Sequence, residues 1–177
     1  MKPENRVKAE ADRYLNDRML LVFACIGIVM KHRYHWERNG IIDLYKRFFE
    51  VWAECASSNE RSMVQMLDEE TGVEVQIGDG KSWRDMPYLN ASIRYKPRTK
   101  AEWIYMRARM KRWIPGQITA CMLLALHRKC GFNDDQIADT YADLLTVEQE
   151  NLFNSALAVE ACERIAKIRV REEVNNG

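Results

Sequence analysis

Two pairs of residues along the chain have the types and spacing of metal ligands. His32 and His35 form an H-x-x-H pair, and His127 and Cys130 form an H-x-x-C pair. Imidazole nitrogens and thiolates are the ligands of tetrahedral zinc sites. Each pair also closes an expected helix, where donor side chains are favoured by free carbonyls and by the helix dipole. Zinc binding and helix capping both fit the pattern, and we expect capping, with no metal or other cofactor.

A group of acidic residues offers a second kind of site. Asp135, Asp139 and Asp143 are spaced by four, next to Asp134. Such a group could hold a divalent cation, but the same spacing is typical of a solvated helix face. The chain carries none of the sequence signatures of serine hydrolases, P-loop enzymes, zinc proteases or dinucleotide-binding enzymes. We therefore expect a non-enzymatic protein.

The strongest signal is positive charge concentrated in one stretch, RYKPRTKAEWIYMRARMKRW at residues 94–113. It holds eight Lys or Arg and one Glu, in a chain whose net charge is +1. Arginines make bidentate contacts with phosphates or carboxylates, and neutralised phosphates release counterions. The candidate partner-binding residues are Arg94, Lys96, Arg98, Lys100, Arg107, Arg109, Lys111 and Arg112. The alternative is pairing with the protein's own acidic segment at 133–150, which has no Lys or Arg.

Helical periodicity and capping signals place this stretch among several helices. Projected as a helix, Trp103, Met106, Met110 and Trp113 fall on one stripe, which we expect to be buried against the core while the cations face outward. Two of the expected helices cover residues 3–32 and 41–54. A short helix is opened by the S-x-x-E signature of Ser57–Glu60 and stopped by Thr71 and Gly72, and a basic helix is opened by Thr99–Glu102 and ends before Pro115. A further helix is capped by Asn133, and an amphipathic tail covers residues 146–170.

Residues 72–96 have a different periodicity. Val73, Val75 and Ile77 alternate with polar residues, a G-D-G turn follows, and Leu89, Ala91 and Ile93 alternate again. Alternation with a period of two predicts strands. The predicted fold is therefore α+β and mostly helical, with a small antiparallel β element inserted between two helical hairpins.

The two hairpins are related in sequence. Residues 24–51 align without gaps on residues 120–147 at an offset of 96. Shared amphipathic pattern also produces such matches, so internal duplication and coincidence both remain open at this point. Identical pairs are Ala24 and Ala120, Cys25 and Cys121, Ile41 and Ile137, Asp43 and Asp139, Tyr45 and Tyr141, and Val51 and Val147.

Bulk composition predicts one domain over residues 1–177 in a reducing compartment. The chain is 47% hydrophobic, which suffices for a core of its own. Its five cysteines are scattered and odd in number, so we expect reduced thiols and a cytoplasmic location in a bacterial host. The longest apolar run, at 19–30, is shorter than the roughly 20 residues that span a bilayer, and we expect neither a membrane segment nor a signal peptide.

One segment carries a family resemblance. ITACMLLALHRKCGFNDDQIADTYADLL, residues 118–145, resembles the apolar helix, turn and second helix of small accessory proteins from phages and mobile elements of gut Firmicutes. Such proteins include inhibitors of host defence, and the chain is similar to anti-CRISPR inhibitors of type II RNA-guided nucleases. Many of these inhibitors are uniformly acidic and imitate DNA, whereas the expected contact surface here is basic.

The resemblance and the charge pattern together predict a function in binding. We expect a non-enzymatic, phage-type inhibitor whose basic helix contacts a host nuclease or the nuclease's nucleic-acid complex. The alternative is an accessory or regulatory protein that binds DNA or RNA directly. No recognition consensus for nucleic acid accompanies the basic stretch, and the oligomeric state stays open.

Overall fold

The structure is a computed structural model that describes residues 3–57, 62–77, 80, 82–85 and 99–176. These residues form an all-helical fold, with a short 3-10 turn at Trp83–Asp85. The helices are α1 (Pro3–Tyr34), α2 (Arg38–Ser57), α3 (Met63–Thr71), α4 (Lys100–Cys130), α5 (Asp134–Glu150), α6 (Ser155–Ala166) and α7 (Val170–Asn175).

The predicted β element is wrong where the structure describes it. The described part of 72–96 contains no sheet, and residues 86–98 lie outside the described residues. Val75 and Ile77 are buried, as the alternation requires, and Ile77 lies against helix α4. Gly116 permits this approach: a Cβ there would lie 3.0 Å from Cγ2 of Ile77 and 3.3 Å from the Gln76 carbonyl. One buried face reveals an extended segment but not whether a strand or a helix covers it.

Capping signals located most helix ends correctly. Thr99 with Glu102, and Asn133 with Gln136, form complete capping boxes at the starts of α4 and α5. Gly72 ends α3 in the left-handed conformation, with φ 70°. The predicted start of α3 is wrong, because the Ser62 side chain caps that helix and Ser57 is the last residue of α2.

Helix α4 continues through Pro115, against the prediction that it ends there. A proline within a helix has no N–H for the carbonyl four residues earlier, here that of Lys111. The hydroxyl of Tyr14 in α1 donates a hydrogen bond to this carbonyl at 3.2 Å. A neighbouring helix therefore replaces the partner that proline removes.

The 96-residue offset holds in three dimensions. Helices α1 and α4 end at Tyr34 and Cys130, and α2 and α5 begin at Arg38 and Asp134, so both boundaries differ by 96. His35 and Gly131 take left-handed conformations, with φ 56° and 74°. The two turns close with equivalent hydrogen bonds, Trp36 N to Met30 O and Phe132 N to Leu126 O, each of 3.1 Å. Each bond reaches the carbonyl six residues earlier in the chain.

The two hairpins are interlocked. Helix α5 packs more extensively on α1 than on its own partner α4, and α2 packs more extensively on α4 than on α1. The third helices follow the same rule, since α6 packs on α1 and α3 packs on α4. The core thus lies between the halves, around fully buried side chains such as Phe23, Tyr45 and Phe48.

Candidate functional site

The basic residues lie on a part of the molecule outside the core. In α1 the first buried residue is Leu20, and in α4 it is Gly116, among the residues whose exposure the structure describes. These two positions again differ by 96. The preceding segments, residues 9–19 of α1 and 100–115 of α4, are exposed or half-buried throughout their described side chains. We call this pair of segments the stalk.

Two contacts hold the segments of the stalk side by side and parallel. Arg107 Nε lies 2.8 Å from a carboxylate oxygen of Glu10, and one turn further on, the Tyr14 hydroxyl reaches the Lys111 carbonyl. Half-burial raises the pKa of Tyr14, chiefly through desolvation of the phenolate. The Arg107 side chain is 49% exposed, so its ion pair is worth at most about 1 kcal/mol.

The structure places four of the eight predicted contact residues. Lys100, Arg107, Lys111 and Arg112 are exposed on the α4 segment of the stalk. Arg94, Lys96 and Arg98, and the side chain of Arg109, lie outside the described residues. The contact role of all eight stays a prediction.

The expected apolar stripe is only partly in the core. Trp113 packs against the core, whereas Trp103 is half-buried on the stalk. The side chains of Met106 and Met110 lie outside the described residues. No described apolar side chain of residues 100–112 packs against the core, so helical periodicity alone overestimated how far the core reaches along α4.

Two large apolar side chains were missed by sequence reasoning. Ile104 is 60% exposed and Tyr105 is 68% exposed, between the cations at 100 and 107. Their neighbours in sequence are apolar or basic, and no local signal separates a surface apolar residue from a core one. The stalk therefore presents both positive charge and apolar surface.

The acidic segment is held by α1. Arg33 contacts Asp139 at 2.5 Å and Asp143 at 2.6 Å, and Arg18 lies 3.4 Å from Glu148. Glu148 is 4% exposed, and desolvation raises its pKa while Arg18 lowers it. The cation between Asp139 and Asp143 is thus a guanidinium group, which occupies the position predicted as a candidate metal site.

The histidine and cysteine pairs do not converge on a zinc site. His127 Nδ1 lies 2.9 Å from the Phe132 carbonyl, a hydrogen bond that closes the turn after α4. Because Phe132 follows the end of α4, this contact does not satisfy a free carbonyl of the helix, and the expected capping role of both pairs stays a prediction. Across the described ranges, no group of three or more metal-ligating side chains occurs.

Comparison with known proteins adds no relative. The chain has no significant match among protein-family models, curated proteins or solved structures.

Within the described part of the chain, none of the helices combines the length and apolarity that crossing a membrane requires. All five cysteines are unpaired, in agreement with the expected reduced thiols.

Proposed function

We propose that this protein is a non-catalytic binding protein that places the basic face of its stalk against an anionic surface of a nucleic-acid-handling partner. The observation that carries the proposal is the position of Lys100, Lys111 and Arg112 on the part of α4 that lies outside the core, beside exposed Ile104 and Tyr105. A surface that combines arginine, tyrosine and apolar side chains matches the composition of protein interfaces.

The resemblance of residues 118–145 to phage accessory proteins suggests the kind of partner. The finer proposal is an inhibitor of an RNA-guided nuclease that engages an acidic patch of the nuclease, or its guide or target strand. Such an inhibitor needs no catalytic residues, since it acts by occupying a surface.

Direct binding of DNA or RNA is the second candidate. Tyr105, which is 68% exposed among cations, favours it, because bases stack on aromatic rings while Lys and Arg neutralise phosphates. The candidates differ in salt dependence: phosphate contacts weaken steeply as salt rises, and an interface with an apolar centre weakens less.

The test is target-DNA cleavage by a guide-loaded type II nuclease while this protein is titrated in, with binding to bare DNA and bare RNA followed across a salt series. Inhibition with weak binding to bare nucleic acid supports the first candidate. Tight, salt-sensitive binding without inhibition supports the second. If neither occurs, the proposal fails.

A matched pair of variants assigns the effect to the stalk. Lys100→Glu with Lys111→Glu reverses two exposed charges on the stalk, whereas Arg164→Glu with Arg171→Glu reverses two exposed charges on α6 and α7. Only the first pair should abolish binding, and neither should shift the melting temperature by more than a few degrees, because exposed charges contribute little to stability. Equal loss in both pairs would mean that net charge, not the stalk, governs binding.

A further inference from the structure

The turn between α5 and α6 presents a second exposed apolar surface. Four large side chains surround it: Leu145 is 41% exposed, Leu152 74%, Phe153 59% and Leu157 43%. They occupy the end of α5, the turn itself and the first residues of α6. We call these four residues the apolar corner.

The backbone of this corner is strained. Leu152 and Phe153 both take left-handed conformations, with φ 54° and 51°. Each costs roughly 1–2 kcal/mol in a residue other than glycine, and asparagine or glycine would fit more readily. The Phe153 N–H donates to the Glu148 carbonyl at 2.8 Å, and the Asn154 side chain caps α6, which holds the turn in place. Large apolar side chains are thus exposed at positions where they stabilise neither the turn nor the core.

The corner lies in an acidic surface. From Cys130 to Glu163 the chain contains eight Asp or Glu and no Lys or Arg. Three of the eight, Asp139, Asp143 and Glu148, pair with arginines of α1, and the other five are exposed. Glu150 and Glu160, both exposed, flank the turn on α5 and α6. A ligand for this surface should therefore be apolar at its centre and cationic at its edge, and the α4 segment of the stalk has that character, with Ile104 and Tyr105 between Lys100 and Lys111.

The apolar corner lies at the foot of the stalk, by which we mean the end of the stalk that joins the core. The Ser155 hydroxyl, at the start of α6, donates to a carboxylate oxygen of Asp17 in α1. The contact between α1 and the stalk segment of α4 involves Glu10 and Tyr14, which are seven and three residues earlier in α1. At 1.5 Å per residue, these positions are within about 11 Å of each other along α1.

We propose that two copies of this chain form a reciprocal dimer in which the stalk of each copy lies on the apolar corner of the other. Fourteen residues of α4, from Lys100 to Trp113, span about 20 Å. When two stalks lie antiparallel, the Lys100 end of each therefore reaches the foot of the other copy's stalk. The arrangement closes, because the same two surfaces pair twice about a twofold axis. This inference goes beyond the proposed function, because the dimer covers the basic face of the stalk. An anionic partner must then compete with dimer formation.

The experiment is sedimentation velocity on the full chain and on two variants. The corner variant carries Leu152→Asn and Phe153→Gly, and the stalk variant carries Lys100→Glu and Lys111→Glu. Wild type should form a dimer that high salt weakens, and each variant alone should raise the dimer dissociation constant at least tenfold, or about 1.4 kcal/mol. An equimolar mixture of the two variants should regain association, since the corner variant keeps its stalk and the stalk variant keeps its corner. The Arg164→Glu with Arg171→Glu control should dimerise as wild type does.

Three results would overturn the proposal. Wild type could remain monomeric at high concentration and low salt, the stalk variant could dimerise normally, or the mixture could fail to associate. The corner variant should also melt at or above the wild-type temperature, because it relieves strain; a marked drop would give the corner a structural role instead. Its nuclease inhibition should equal or exceed that of wild type, because a weaker dimer leaves the basic face of the stalk free; loss of dimer without loss of inhibition separates the dimer from the proposed function.

Discussion

The rings of Trp36 and Phe132 meet edge to face, with centroids 5.9 Å apart. These residues are equivalent at the 96-residue offset, and each follows the left-handed residue of its turn. Equivalent residues of two related units touch each other only close to the axis that relates the units. The contact between these rings is what a pseudo-twofold relation between the two hairpins requires, and the relation itself stays a prediction.

Interlocked halves should depend on each other for folding. If the chain is divided between Asn90 and Ala91, each half retains one hairpin but loses the helices that cover its long helix, because α5 and α6 cover α1 while α2 and α3 cover α4. We expect each half alone to be largely unfolded and the co-expressed halves to co-purify as a 1:1 helical complex. Circular dichroism and mass measurement of the separate and mixed halves check this.

The opposite outcome is equally clear. A half that melts cooperatively alone would show that its hairpin is an independent unit, and the interlocking would then contribute little to stability. A matched control divides the chain between Asn151 and Leu152, within the second half. Those fragments should reassociate less well, because the break separates α5 from α6 while both must pack on α1.

Sequence reasoning succeeded where the information is local. Helix ends at Thr99, Asn133 and Gly72 follow from the hydrogen-bonding capacity of one or two neighbouring residues. The equivalence of the two hairpins was visible as a gapless alignment, and the shared boundaries agree with it.

It failed where the deciding contact is distant in sequence. Helix α4 passes Pro115 because Tyr14, 97 residues away from Lys111, bonds the carbonyl that proline leaves free. Among the described residues, the segment around Ile77 lies against α4 at Gly116, and no described strand pairs with it. The exposure of Trp103 depends on where the body of the protein ends along α4, which periodicity within one helix does not indicate.

Gly27 is required by the packing of Tyr45. A Cβ at position 27 would lie 2.6 Å from the Tyr45 hydroxyl oxygen and 2.9 Å from the Cys162 sulfur. The hydroxyl also donates to the Phe23 carbonyl at 2.6 Å, so it cannot withdraw without leaving a buried group unpaired. We expect Gly27→Ala to lower the free energy of unfolding by about 1–3 kcal/mol, as overpacking does, measured by urea denaturation.

Gly40 is the matched control within the next helix. A Cβ there would meet only the Trp36 ring, at an ordinary contact distance of 3.6 Å. Since alanine is favoured over glycine in helices, Gly40→Ala should raise the free energy of unfolding by up to about 1 kcal/mol. Equal effects of the two substitutions would contradict the assigned contacts of Gly27.

The thiols should differ sharply in reactivity. Cys25, Cys121 and Cys162 are fully buried, and desolvation raises their pKa, to about 12 for Cys162. Cys130 is half-buried; burial raises its pKa, and the positive charge of Arg47 counteracts that rise. We expect a disulfide reagent near neutral pH to modify Cys130 first in the folded protein and the remainder only after unfolding.

The Cys130→Ser variant provides the control for this prediction. It should lose the early phase of labelling and keep the slow one, whose rate should follow the unfolding rate. Fast labelling of more than one thiol in the folded wild type would mean that the core opens more readily than its burial indicates.

Glu148 should make stability depend on pH in the direction opposite to an ordinary ion-paired acid. Burial raises its pKa in the folded protein above the ordinary value of 4.5. At pH values between 4.5 and this raised pKa, the folded state therefore binds more protons than the unfolded state. Stability contributed by this group is therefore present below pH 4.5 and is lost as pH rises through the higher pKa. We expect Glu148→Gln, which stays uncharged, to remove this loss from melting temperatures recorded between pH 4 and 8.

The difference between two variants isolates this contribution from other titrating groups. Glu150 is exposed, so Glu150→Gln removes one carboxylate of the same helix without a desolvated charge. The melting temperature of Glu148→Gln should rise steadily relative to that of Glu150→Gln as the pH increases from 4.5. The difference should level off once Glu148 in the Glu150→Gln variant is fully ionised. A constant difference between the variants at all pH values would show that Arg18, 3.4 Å away, compensates for the burial of the carboxylate in full.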